Sequence, residues 1–279
     1  MKRSLKLLMA LGAAVALVVG CADRDEALPN TDPPTLRIGI KFDQPGIGLM
    51  VDGVPQGFDV DVAAYIAWKL GVSPFDVEWV EAVSPQREQM LLDGAVDFVV
   101  ASYSITEERL AVVDFAGPYV ITHQALLVRA DNTTIAALED LSGRRVCAPI
   151  GTPYLFRVQE ILGDSITVIG VERHSECARM LAEGQVDAMT TSDLNLAGMA
   201  ASDEFFGEFR LINEWYSNEQ IGIGLPQGSG ELCQRINAAL LEMVEDGSWQ
   251  RFITRHTGGT DYIPDATFNP PTPLPCATP

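Results

Sequence analysis

The chain has 279 residues, enough for one large or two modest domains. Hydrophobic residues make up 47% and charged residues 20%, the ordinary balance of a soluble protein with a sizeable core. A formal charge of −19, with no basic patch beyond the first few residues, argues against nucleic acid as a partner.

Residues 1–20 begin basic (Lys2, Arg3, Lys6) and continue through an apolar run over 7–19, too short to span a bilayer. This reads as a secretory signal. Val18-Val19-Gly20-Cys21 has the form of a bacterial lipobox, so Cys21 is expected to be the lipid-modified first residue of the mature chain. No later apolar run can cross a membrane, which makes the mature chain a tethered soluble protein on the outer face of the cell membrane. Residues 21–34 are acidic and proline-containing, a flexible spacer.

A first strand is predicted over 36–40, followed by Lys41-Phe42-Asp43-Gln44-Pro45-Gly46 and a Gly-rich loop turning at Asp52-Gly53. Asp59 is read as the cap of a helix whose Val62, Ile66 and Leu70 share one face and whose stop is Gly71. A strand over 77–80 precedes a helix opened by Ser84-Pro85 and ended by Gly94. A buried strand over 96–100 follows. The alternation predicts parallel α/β sheets.

Residues 101–109 (ASYSITEER) then turn through small hydroxyl residues into a short helix, with Thr106 as N-cap and Arg109 in the first turn. Unpaired N–H groups, serine hydroxyls and a guanidinium fork make a candidate carboxylate socket. The plain alternative is a β–α turn in which Arg109 pairs with Glu107 or Asp114. Residues 90–97 (MLLDGAVD) resemble 180–187 (MLAEGQVD), and in the same register the following strands end at Ser102 and Ser192. Two lobes of similar topology would each offer one strand end to a shared crevice, where open α/β sheets bind ligands. Segments 124–129 and 220–225 are candidate crossovers.

Beyond Cys21, four cysteines remain in an oxidising compartment. Cys147 and Cys177 fall in one region, while Cys233 and Cys276 would pin a proline-rich tail. That is the preferred pairing, although spacing alone leaves connectivity open. No cysteine pair has metal-ligand spacing and His123, His174 and His256 are scattered, so no metal is expected. Gly222, Gly224 and Gly228 are one residue too widely spaced for a dinucleotide loop, and no cofactor is expected. There is no Walker motif, no G-x-S-x-G and no Cys/His pairing. Asp114 or Asp193 could act as a general acid, but neither has a second catalytic group, so the chain does not read as an enzyme.

Gly57-Phe58-Asp59-Val60-Asp61-Val62-Ala63 with Ile66, Ala67 and Leu70 resembles the signature of family 3 extracellular solute-binding proteins, the polar amino acid receptors of ABC importers. Thr106-Glu107-Glu108-Arg109 with Val113-Asp114-Phe115 and Pro118-Tyr119 is similar to the second hallmark of that family. The 41–46 segment and the four-cysteine plan look most like glutamate/glutamine-binding lipoproteins of actinobacterial type. The resemblance implies a two-lobed periplasmic-binding-protein fold of type II, each lobe a mainly parallel sheet flanked by helices, with two crossover hinge strands. Lobe one would comprise 35–128 and 220–258, lobe two 129–219, and the tail 259–279. It further implies a monomer that closes on an amino acid and delivers it to permease subunits.

Carried over by position, the Ser102 carbonyl takes the ligand α-amino group, the Ser104 hydroxyl and Arg109 take its α-carboxylate, and Phe58 lies along its stem. Thr152, beside Gly151, offers a hydroxyl at a helix start. Two departures stand out. Ser192 occupies the position where relatives usually hold an aspartate for the ammonium, with Asp193 one residue late. Pro149 replaces a lysine found in some glutamine receptors. Arg87, seven residues before Gly94, and Lys41 would suit a second carboxylate, hence glutamate or aspartate. A glutamine/asparagine receptor and a dehydratase-like member of the fold are the alternatives.

Overall fold

In the computed structural model, the described residues are 35–276 except 213 and 261. The signal segment, Cys21 and the spacer up to residue 34 lie outside them. Strands and helices alternate through the first third of the chain: β1 (Leu36–Ile40), β2 (Asp43–Gln44), β3 (Gly48–Val51), β4 (Val54–Gln56), α1 (Phe58–Lys69), β5 (Val77–Glu81), α2 (Arg87–Leu92), β6 (Phe98–Ser104) and α3 (Glu107–Leu110). The middle third holds β7 (Asp114–Arg129), β8 (Arg145–Pro149), α4 (Pro153–Leu162), β9 (Thr167–Val171), α5 (His174–Ala182), β10 (Ala188–Ser192) and α6 (Asp193–Ala200). Then come β11 (Phe209–Ile212), β12 (Asn218–Leu225), α7 (Gly230–Glu245) and α8 (Ser248–Thr257).

The strands run in the order β5-β1-β6-β12-β7-β10-β8-β9, with β11 also on β7. The β5-β1-β6 and β9-β8-β10 trios are parallel, while β12, β11 and both ends of β7 pair antiparallel. β7 ties the two trios together. Its first part faces β12, with Asn218 opposite His123, and its second part faces β10, with Ser192 opposite Gln124. The strand thus changes partner between the adjacent residues His123 and Gln124.

Each half buries both faces of its sheet. Phe58, Ile66, Ile236, Leu240 and Trp249 fill the layer under α1, α7 and α8, and Leu91, Val99, Tyr103 and Phe115 fill the other face. Two further clusters around Leu127–Leu181 and Leu126–Leu141 do the same in the second half. This is the α/β arrangement that the alternation predicts.

The internal repeat is a repeat of hydrogen bonds as well as letters. Asp97 accepts from the Arg37 backbone N–H (2.7 Å) and guanidinium (2.9 Å), and Arg37 also donates to the Gly94 carbonyl. Asp187 accepts from the Arg145 backbone N–H (2.9 Å) and guanidinium (3.1 Å), and Arg145 donates to the Gly184 carbonyl. In each half an arginine on the central parallel strand thus fixes the glycine stop and the following strand.

Two local expectations need correction. The strand predicted over 96–100 runs instead through Ser104, because β12 extends the ladder with Ile221 opposite Ser104 and Gly222 opposite Tyr103. The hydroxyl residues therefore lie in the strand, which kinks at Ser102, where φ is +49°. Asp59 is not the cap of α1. Gly57 holds that position at φ +133°, with its Cα so close to the Ile47 carbonyl that any Cβ would collide with that oxygen. The Asp59 side chain is turned inward instead.

Both disulfides have the preferred connectivity, Cys147–Cys177 and Cys233–Cys276. The tail is held to β7 as well: Leu274 donates to the Gly117 carbonyl at 2.7 Å, and the Asn269 side chain bonds both backbone groups of Ile121 at 2.9 Å.

Candidate functional site

The ends of β1 and β6 and the start of α2 converge on the helix starts of α4, α5 and α6. Thr106 caps α3 as expected, accepting from the Arg109 N–H at 3.3 Å, and this fixes where the guanidinium points. Arg109 donates to the Ser104 carbonyl (2.6 Å), the Gly151 carbonyl (2.7 Å) and Glu88 (3.0 Å). Neither Glu107 nor Asp114 is its partner. The 3₁₀ turn Ser84–Gln86 hands over to α2 at Arg87, whose guanidinium donates to the carbonyls of Ala101 (2.9 Å), Ser102 (3.3 Å) and Gly151 (3.1 Å). Both guanidiniums lie over the Tyr103 ring, at 4.2 and 4.8 Å from its centre, a favourable placement for a cation on an aromatic face.

Arg87 is 1% exposed and Lys41 2% exposed, and Lys41 donates to the Ser84 hydroxyl at 2.8 Å. Among the described residues neither cation forms a salt bridge. Burial, then the nearby Arg109 charge, pulls Arg87 down to about 10. Burial, then Arg87, holds Lys41 well below the usual lysine range. A buried cation is costly without a counter-charge, so these two define a place where an anion is welcome.

Ser102 is held from behind. Its N–H donates to Asp59 at 2.7 Å, and the other Asp59 oxygen accepts from the Tyr119 hydroxyl at 2.7 Å. Burial pushes the Asp59 carboxyl up to about 6 in spite of those bonds. Phe58, fully buried, sits at the start of α1 with its ring 5.9 Å from Tyr119 and 6.2 Å from Trp249.

The second half supplies Gly151, Thr152, His174, Ser192 and Asn195. Pro153 takes the first position of α4 as expected, yet the Thr152 hydroxyl caps nothing and donates back to the Pro149 carbonyl at 2.5 Å. Thr152 and Arg109 line a groove of about 370 Å3. The Ser192 hydroxyl caps α6 by accepting from the Asn195 N–H (3.3 Å). Asp193 is turned toward the crossover strand: one carboxylate oxygen accepts from the His123 N–H (3.1 Å) and from Leu194 (2.8 Å). Burial pushes its carboxyl up to about 6.

Further contacts bridge the halves near this cleft besides the two arginines. Arg173 pairs with Glu81, Ser175 N–H donates to Asp43 (3.1 Å), the Gln44 amide donates to His174 (3.0 Å), and the Asn195 amide donates to the Ser102 hydroxyl (3.3 Å). Burial drives His174 down to about 3, so its ring is neutral. The Gln44 amide then makes Nδ1 the acceptor and leaves the proton on Nε2, 3.3 Å from the Thr191 hydroxyl.

Lys41, Arg87, Ser102, Ser104 and Arg109 are thus brought together on one wall, with Thr152 and Ser192 on the other, while Asp193 faces away. The sequence reading missed Gln44, Asp59, Glu88, His174 and Asn195 as members. Asp59 and Gln44 stand in recognised motifs, but the position of Asp59 suggests a helix cap and nothing in the 41–46 segment singles out Gln44.

Residues 36–259 match the family described as bacterial extracellular solute-binding proteins, family 3. The chain is 39% identical over 270 residues to the glutamate-binding protein GluB of Corynebacterium efficiens, covering 91% of each. It is 31% identical to the ABC transporter glutamine-binding protein GlnH of Bacillus subtilis, covering 91% of this chain and 97% of that one. Among solved structures, an ancestral arginine-binding protein bound to glutamine superposes with a TM-score of 0.73 at 33% identity, covering 81% of this chain and 99% of the other. The fold is accordingly the two-lobed type II binding-protein fold, and the chain belongs to the family 3 bacterial extracellular solute-binding proteins.

Proposed function

We propose that this protein is the amino acid receptor of an ABC importer and that its ligand is acidic, glutamate or aspartate. The observation that carries the acidic choice is the buried pair Lys41 and Arg87, neither of which forms a salt bridge among the described residues. A ligand side-chain carboxylate supplies the missing charge. The GluB relative supports the same choice. Arg109 and Ser104 receive the α-carboxylate, with Thr152 at its flank and Phe58 behind the stem; the Ser102 carbonyl, expected to take the α-amino group, already accepts from Arg87 at 3.3 Å. Ser192 completes the site from the second lobe, while Asp193, also expected there, is held by the His123 and Leu194 N–H groups. The lobes are 35–128 with 220–258, and 129–219; they close by hinge motion about the crossover strands, as in other two-lobed receptors. The closed monomer then presents both lobes to membrane permease subunits, and catalyses nothing.

The basic and apolar leader and the lipobox at Cys21 make the protein a secreted lipoprotein held at the outer face of the cell membrane. Release of a Cys21→Ser protein into the medium tests that anchor.

A thermal-shift screen of the twenty amino acids, followed by calorimetry, tests the ligand, since a compound that binds only the folded state raises its melting temperature. Glutamate or aspartate should give the largest shift. Preference for glutamine would overturn the assignment of Lys41 and Arg87, and no shift with any amino acid would overturn the receptor reading.

A further inference from the structure

Two amide oxygens, Gln44 Oε1 and Asn195 Oδ1, are buried with no hydrogen-bond donor among the described residues. Their residues are 1% and 3% exposed. Each amide is oriented through its nitrogen, Gln44 by His174 Nδ1 (3.0 Å) and Asn195 by the hydroxyls of Ser192 (2.8 Å) and Ser102 (3.3 Å). The oxygens are therefore held away from those partners, and a buried acceptor left unpaired is costly.

The two residues come from opposite lobes, on elements that approach each other closely. Gln44 ends β2, and α6, which carries Asn195, lies directly on the turn that follows. The approach is so close that any Cβ added to Gly198 would collide with the Pro45 carbonyl oxygen.

The other acceptors of the cleft already hold at least one donor each. Arg87 and Arg109 take up the carbonyls of Ala101, Ser102, Ser104 and Gly151. Asp59 is engaged by Tyr119 and Ser102 on its two oxygens. One Asp193 oxygen accepts from two N–H groups beside the crossover strand. An amino acid brings three ammonium N–H donors into this cleft.

Resting on the receptor reading above, we propose that Gln44 Oε1 and Asn195 Oδ1 are the acceptors of the ligand α-ammonium. One comes from each lobe, so the ammonium bridges the cleft. Both acceptors are neutral, so the cleft keeps the positive charge of Lys41, Arg87 and Arg109 for the ligand carboxylates. The site thus recognises a primary α-amino group by hydrogen bonding rather than by an ion pair.

The test compares glutamate with glutarate, which keeps both carboxylates and lacks the ammonium, by calorimetry on wild type, Gln44→Leu, Asn195→Leu and Asn195→Asp. Melting curves without ligand establish that each variant folds. Wild type should prefer glutamate strongly. Either leucine variant should lose roughly ten- to hundredfold in glutamate affinity while glutarate binding stays within a few-fold, so the preference collapses. Asn195→Asp, which keeps an acceptor, should retain glutamate binding. Equal loss of both ligands in the leucine variants would make the residues merely structural and overturn the inference, as would an unchanged preference. If the screen returns glutamine, glutaramic acid replaces glutarate and the same comparison decides. If wild type binds no amino acid, the receptor reading fails first, and this inference fails with it.

Discussion

Arg87 and Arg109 donate to the same oxygen, the Gly151 carbonyl, at 3.1 and 2.7 Å. Two guanidiniums would ordinarily repel at this range. Here one carbonyl with two lone pairs and one aromatic face, Tyr103, receive both. The contact joins the lobes at a glycine, and the glycine is required. Gly151 has φ +68°, and a Cβ there would fall 2.7 Å from the Pro85 nitrogen. Gly151→Ala should therefore leave the fold in place but hold the lobes apart. We expect at least tenfold weaker ligand binding with an unchanged far-ultraviolet spectrum. Wild-type affinity in the variant would show that this contact does not form part of the bound state.

Lys41 should make binding pH-dependent. Burial and Arg87 favour its neutral form, and a ligand carboxylate beside it favours the ammonium, so binding takes up a proton wherever Lys41 is uncharged in the free protein. Affinity for glutamate should then fall as pH rises, by at most about tenfold per pH unit for one proton. Calorimetry in buffers of different ionisation enthalpy measures the proton uptake, and Lys41→Met should abolish it. Identical uptake in that variant would assign the proton elsewhere.

Asp59 offers a stability test with a definite sign. Its carboxyl is raised from 3.8 to about 6, so its contribution is fully present below pH 3.8 and is lost as pH rises through about 6. The amide introduced by Asp59→Asn cannot titrate. The stability gap between wild type and that variant should be widest near the acid end and narrow by on the order of 3 kcal/mol at neutral pH. Urea melts at the two ends of that window measure it, and a gap that widens with pH would reverse the assignment.

The Cys233–Cys276 bridge closes a segment of 43 residues. Loop-closure arguments put its stabilisation at about 4 kcal/mol. A Cys233→Ser/Cys276→Ser protein should show a clearly lower urea midpoint. Asn269 still ties the tail to Ile121, so the loss should fall short of complete release. An unchanged midpoint would mean that the tail hydrogen bonds suffice.

Much of this fold is legible in the sequence because its signals are local. The Thr106 cap, Pro153 at the first position of α4, and the glycine stops at Gly71 and Gly94 depend on neighbours within a few residues. The repeat at 90–97 and 180–187 is visible for the same reason, and the matching Arg37–Asp97 and Arg145–Asp187 bonds account for it. The end of β6 is not legible, because a ladder partner more than a hundred residues away, β12, decides how far the strand runs. Asp59 misleads because an acidic residue at a helix start fits a cap, and nothing nearby shows that Tyr119 and Ser102 claim it.

By itself the sequence determined the class of the molecule: an acidic, two-lobed binding protein with a cationic cleft wall around Lys41, Arg87 and Arg109. Motifs with short-range spacing carry the family resemblance that implies this. Only the tertiary structure decided which polar groups are already satisfied. Arg109 turned to Glu88 and Gly151 rather than to its helix neighbours, and Asp193 turned to the crossover strand. Gln44 and Asn195 were each left with one oxygen that has no donor among the described residues. Hydrogen bonds saturate, and their partners here lie as far apart in the chain as Gln44 and His174, so what remains for a ligand emerges only once every internal bond has been made.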